Sequence, residues 1–488
     1  MPHPISLFTE MGHNHRQVYR GESRNKGQAM QDLKPSLILG LLLALTGPIW
    51  FLVSSVSAVP WPQIWIAQNW EQALPLVALM SVVIALVARL AAQSHSTANS
   101  LIMWVAVLGN LACWLFAGFY TFDFSALEGL GKLALSGDNP YAPTSPDTAP
   151  WADLVSLSWG PLVIGLSAGF AALMAVNATA ALLSWTVLCA ACLVLAITLA
   201  VGGLGRTRMN VGRGVILWSL PLFLVLGVGA LSPLVLALPL LALAFSLSAR
   251  GRAVPAAAML ALASGLSPAF VLLASALLLP GPCLWPQTRI TIAESVKAII
   301  LLLVLGAAQY SPAIVASFGG DGIGALAQGE GWLAMPGTAM ELLPAWMGFP
   351  PIEISFWLRM LMIELGVVCL GVAGVIVTAN AKHRSHTLFD QRRPDRRALF
   401  AGLGLCWGLI LWPPLWPSAA LLAACILVRT PNLGIAFFAL GCLVSFGAGQ
   451  MPGIALPMAQ NILALPLVFA LAGLAVDWFL SARLQATK

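Results

Sequence analysis

"LIMWVAVLGNLACWLFAGFYTFDFSALEGLGKLALSGDNPY", residues 101–141, decides the fold of this chain. Its first half, 101–120, carries no charge, whereas its second half suddenly holds Asp123, Glu128, Lys132 and Asp138. Crossing a hydrocarbon core of about 30 Å takes roughly 20 apolar residues in a helix, which satisfies its own backbone hydrogen bonds. The stretch therefore reads as a membrane helix that delivers the chain into a polar loop at the membrane surface.

The same pattern repeats outward in both directions. Apolar runs of crossing length recur at 36–56, 353–379 and 459–480. The whole chain of 488 residues is 59% hydrophobic and 9% charged, with a mean hydropathy of +0.89. A water-soluble domain needs more polar surface than that. The two-residue alternation of a β-barrel is absent. The expected fold is all-α: a polytopic integral membrane protein of 14 or 16 transmembrane helices.

Charge sets the expected orientation. Lys and Arg collect in the tail 1–34 (Arg16, Arg20, Arg24, Lys26, Lys34), at Arg206/Arg208/Arg213, at Arg250/Arg252, across 382–397, and at Arg429, Arg483 and Lys488. Two long loops have the opposite character: 121–158 holds five carboxylates and one Lys, and 309–352 holds Asp321, Glu330 and Glu341 with no base. By the positive-inside rule the basic segments and both termini face the cytoplasm of a plasma-membrane protein, and the acidic loops face outside. Residues 1–34 are expected to be a disordered cytoplasmic tail and 35–488 a single transmembrane domain. This distribution also accounts for the net charge of +6 without a nucleic-acid partner. Counting crossings requires an odd number between 159 and 203, either one long span or three short ones. Residues 253–280 read as a hairpin turning at "GLSP", 265–268, and 124–135 as a short amphipathic helix. The eight cysteines lie in or beside apolar runs and read as packing residues.

The order of elements after the first acidic residue is distinctive: helix, Asp123, amphipathic helix, "SGDNPYAP", an acidic linker, then "LVSLSWGPL" at 154–162. Further on come "ILWSLPLFLVLGVGALSP" at 216–233, "ARGRAVPAAAMLALASGLSPAF" at 249–270 and "GEGWLAMPGTAMELLPAWMG" at 329–348. In this order and spacing the chain resembles the GT-C class of polyprenyl-phosphate-dependent glycosyltransferases over roughly 35–480. Within that class it looks most like the actinobacterial α-(1→6)-mannosyltransferases of lipomannan and lipoarabinomannan synthesis. The resemblance implies transfer of a sugar, expected to be mannose, from a polyprenyl-phosphate donor to a glycan or glycolipid acceptor on the outer face, with inversion. The chain departs from the subfamily at Leu231, Ser232 and Pro233, where His-Asn-Asp is usual, at Ser267, where a Lys is usual, and in "WPPLWP" at 412–417.

Such a transfer needs a carboxylate to take the acceptor hydroxyl's proton and cations to meet the departing phosphate. The resemblance puts the class's acidic residue at Asp123, with Asp138 as the second candidate. Lys132 and Arg359 are the bases on the outward side for the phosphate; Arg359 can equally snorkel to headgroups or pair with Glu353. Asn139, Tyr141, Trp159 and Trp332 are candidates for holding sugar or acceptor, although Trp is also a common interfacial anchor. A divalent ion, Mg or Mn, held by Asp123 and Asp138 is compatible with this chemistry. Two other readings are a catalytically silent homologue that binds lipid carriers or assists assembly, and a transporter or flippase lined by Asp123 and Arg359.

Overall fold

Uninterrupted runs of Ala, Leu, Val and Ile, broken where Pro, Gly or Asn recur, dictate a helical structure. The computed structural model describes residues 124–137, 159–202, 232–283, 288–318, 356–383 and 396–411, with helical positions 434–435, 438, 441–442, 467–468, 470–475 and 478. In chain order the helices are α1 (Phe124–Ser136), α2 (Pro161–Val176), α3 (Ala178–Gly202), α4 (Ala237–Ala249), α5 (Ala253–Ser264), α6 (Ala274–Leu277), α7 (Ile292–Phe318), α8 (Phe356–His383) and α9 (Arg396–Leu411). Short 3-10 segments at Pro233–Leu236 and Pro268–Leu273 lead into α4 and α6. Pro161, Pro233 and Pro268 sit at the first position of their segments, where the missing N–H costs nothing and the fixed φ is already helical. Among the described residues, the exception to helix is a pair of two-residue strands, β1 (Gly281–Pro282) and β2 (Arg289–Ile290), antiparallel with Gly281 opposite Ile290.

The described helices pack in pairs. α1 lies on α2, α3 on α4, α4 on α5, α5 on α7, and α8 on α9, with α6 set between α8 and α9. The core is Leu, Ala and Phe, with Phe245, Phe270, Leu241 and Leu260 fully enclosed. Sparse polar bonds pin it: Ser248 Oγ donates to Leu277 O at 2.7 Å, and Trp407 Nε1 donates to Met362 O at 2.9 Å. Such bonds between helices contribute about 0.6 kcal/mol on average inside a membrane.

Among the described residues, two helices are long and apolar enough to cross a membrane, over Ile292–Pro312 and Met360–Ala379. Both leave large apolar side chains exposed, such as Leu303 at 66% on α7 and Leu365 at 61% on α8. The short helix expected at 124–135 and the hairpin expected at 253–280 are present as α1 and as α5 with the Pro268–Leu277 segment, and spans expected near 233–249, 353–379 and 398–416 overlap α4, α8 and α9. The span expected near 294–308 is present as α7 but continues to Phe318, so the first ten residues of the loop expected from 309 are helical. The hairpin's arms, α5 and the Pro268–Leu277 segment, each rise only about 18 Å, less than a full crossing. The spans expected at 36–56, 74–93, 101–120, 215–230 and 418–428 lie outside the described residues.

The stretch 159–203 is a correction. Where one long helix or three short ones were expected, it holds two helices, α2 and α3, packed against each other. Asn177 ends α2 in an extended conformation (φ −157°, ψ 106°), and its Oδ1 then accepts the Ala180 N–H at 3.1 Å to cap α3. Phe170 and Trp185, fifteen positions apart, meet edge-to-face at 5.6 Å, which a continuing helix would hold about 22 Å apart. An Asn in an apolar run, N-capping rather than helix-continuing, is the physical reason.

Candidate functional site

The candidate base, Asp123, lies outside the described residues, but the residue after it does not. Phe124 starts α1 and stacks on Phe170 of α2, with ring centroids 6.0 Å apart and planes at 21°. Phe170 in turn meets Trp185 of α3. Three rings from three helices thus anchor the point where the chain leaves position 123; aromatic pairs of this kind contribute about 0.5–1.5 kcal/mol each beyond their burial. α1 seats Ala126, Leu127, Leu130 and Leu133 against the core. Gly131 permits this approach, because a Cβ there would run into the Ser167 carbonyl and sit 2.6 Å from Ala171 Cβ.

The opposite face of α1 carries Glu128 and Lys132, joined one turn apart by an ion pair of 2.6 Å. Lys132 is two-thirds exposed, so the pair contributes only about 0.3–0.5 kcal/mol. Its geometry leaves the ammonium accessible while tethered beside a carboxylate.

The return segment and the hairpin turn come together. Gly160 N–H donates to Leu266 O at 2.9 Å, and Leu162 N–H donates to Gly265 O at 2.7 Å. "SWGPL" and "GLSP", more than a hundred positions apart, form one hydrogen-bonded seam. Trp159 is buried in the core cluster beside this seam, so its ring is a packing element and not an open stacking platform. From α7, Tyr310 Oη donates to Ser264 O at 2.7 Å, immediately before the turn. The neighbouring Gln309 points its Oε1 at the Gly265 position, buried and with no hydrogen-bond partner. An amide oxygen so placed is an acceptor ready for a hydroxyl or N–H. Gln309 and Tyr310 were not among the candidates from the sequence, though two polar groups closing a run of eleven residues without a polar side chain are a signal.

Of the positions at which the chain departs from the resembled subfamily, Ser232 and Ser267 have structural roles here. Ser232 caps the Pro233–Leu236 segment, accepting the Leu234 N–H at 3.4 Å. Ser267 is fully buried, and its backbone N–H donates to Ala263 O at 3.1 Å. Arg359 stands on the first turns of α8, with its side chain outside the described part. Glu364 is exposed on α8. Asp138, Asn139, Tyr141, Leu231 and Trp332 lie outside the described residues. Among the described residues no group of three or more His, Cys, Asp or Glu gathers to hold a metal ion. The structure therefore brings together Trp159, Gly160, Gly265, Gln309 and Tyr310, and separates Lys132, which is already paired. No protein-family model, no curated protein and no solved structure matches the chain.

Proposed function

We propose that the protein is a multi-pass membrane glycosyltransferase, transferring a sugar from a polyprenyl-phosphate donor to an envelope glycan or glycolipid, with Asp123 as general base. The observation that carries the reading is the seam between Gly160–Leu162 and Gly265–Leu266. Two segments that resemble GT-C motifs meet there in space. The aromatic anchor at Phe124 fixes the polypeptide next to the proposed base, as proton abstraction requires of a positioned carboxylate. In this reading the outer loops 121–158 and 309–352 enclose the sugar, Arg359 meets the phosphate, and the lipid tail lies along exposed apolar helix faces such as that of α8. The test is a strain lacking the chain: its envelope should accumulate a glycan truncated by one defined sugar, restored by the wild-type chain. An unchanged glycan profile would overturn the proposal.

A second reading has its own support. Ser232 is a helix cap and Ser267 a packed small residue, so at these positions the chain carries structure where the resembled enzymes carry polar groups. A catalytically silent carrier-binding or assembly subunit fits that substitution pattern. The same deletion strain then loses glycan, and an Asp123→Asn chain restores it.

A further inference from the structure

The end of the bundle away from the seam gathers arginines around the β1–β2 pair. The turn at Arg250, Gly251 and Arg252 needs Gly251 at φ +77°, and lies against Arg289, whose carbonyl oxygen is 3.4 Å from where a Gly251 Cβ would stand. Arg252 and Arg289 are exposed. The nearby carboxylate, Glu294, is committed elsewhere: its Oε2 accepts the Thr291 N–H at 3.1 Å and the Thr291 hydroxyl at 3.2 Å, while Thr291 Oγ1 accepts the Glu294 N–H at 3.2 Å. This capping box starts α7. Lys297, also exposed, follows on α7. Side chains lean toward a helix's N-terminus, and the N-terminal end of α7 is the end at which Arg289 lies.

Beyond these cations α7 shows an exposed apolar stripe: Ile292 at 72%, Val296 at 49%, Ile300 at 54% and Leu303 at 66%. A soluble polyanion has nothing to place on that stripe, whereas an acidic phospholipid matches both parts. We propose that this surface is a binding site for an anionic glycerophospholipid, its phosphate between Arg252, Arg289 and Lys297 and its acyl chains along Ile292, Val296, Ile300 and Leu303. The proposal rests on α7 crossing the bilayer, part of the reading above, and is independent of the transfer chemistry.

Carbonate washing of membranes first tests whether the full chain stays integral; its release would sink the membrane reading and this site with it. The purified chain in phosphatidylcholine nanodiscs is then compared with discs containing phosphatidylglycerol, by thermal melting and by mass spectrometry of co-purified lipid. Phosphatidylglycerol should raise the melting temperature and be enriched over its bulk fraction, and inorganic phosphate should do neither. Arg289→Gln alone should weaken the enrichment on the order of fivefold, and Arg252→Ala/Arg289→Gln/Lys297→Gln should abolish it. All three side chains are exposed, so melting in pure phosphatidylcholine should stay at the wild-type value. An equal phosphatidylglycerol effect in Arg289→Gln and wild type would overturn the proposal, as would a phosphate effect as large as the lipid's. If the triple variant does not fold, the Arg289→Gln comparison decides.

Discussion

Leu162 gives its backbone N–H to the carbonyl of Gly265 at 2.7 Å, stitching the entry of α2 to the turn after α5. The approach is possible because Gly160 has no side chain: a Cβ there would overlap Gly265 and come within 2.9 Å of Ser264 O. Gly160→Ala should therefore break the seam and destabilise the protein by about 1–3 kcal/mol, the usual cost of overpacking. Gly165, one turn further along α2, has open space around it, and Gly165→Ala should be neutral or stabilising by about 0.5–1 kcal/mol. Thermal melts of the two variants in detergent check the contrast; equal effects would show that the seam is not tight.

The helical reversal at Asn177 makes a topological prediction. With a single cysteine in a cysteine-free background, Asn177→Cys should react with an impermeant thiol reagent from the side opposite Ser145→Cys. One uninterrupted span would bury position 177 in the bilayer and leave it unlabelled. Ser385→Cys should label with Asn177→Cys, from the cytoplasmic side assigned by the basic segment 382–397. Labelling of Ser385→Cys from outside would invert the model.

Tyr310 and Gln309 should respond oppositely to loss of their polar groups. Tyr310→Phe leaves Ser264 O without its 2.7 Å donor, a loss of about 1–3 kcal/mol. Gln309→Met removes an amide oxygen that has no partner, and stability should stay level or rise. If the proposed site is correct, Gln309→Met nonetheless lowers sugar transfer, because the free acceptor is lost. A fall in melting temperature for Gln309→Met as large as for Tyr310→Phe would mean that the amide is structural.

Much of the helical plan was legible in the sequence, since apolar runs and the prolines at 161, 233 and 268 are local signals. The reversal at Asn177 was not, because a 44-residue apolar stretch gives no count of its own crossings and one Asn reads as tolerated polarity. The seam was half legible: each segment of it was singled out, but their pairing is a long-range contact that no local pattern encodes. Trp159 shows how residue type and context differ. A Trp before Gly-Pro at a membrane entry suggests stacking, and here the ring fills the core.

Ser267 yields the fourth prediction. The resembled enzymes' lysine cannot be restored at a site with no exposed surface without burying an ammonium, which costs several kcal/mol when unpaired. Ser267→Lys should reduce folded yield sharply and should not raise donor affinity. A well-folded Ser267→Lys chain with tighter donor binding would show that the phosphate site reaches this turn.

The central claim is proton abstraction by Asp123, and one measurement reaches it directly: sugar transfer from labelled polyprenyl-phosphate mannose to an envelope glycolipid by purified wild-type and Asp123→Asn chains at matched folded concentration. The asparagine keeps size and polarity but cannot take the proton. The account predicts robust transfer by the wild type and a fall of about 10²–10⁴-fold in the variant, with melting temperature and donor binding unchanged. Transfer by Asp123→Asn at the wild-type rate, or none by either chain, would contradict it.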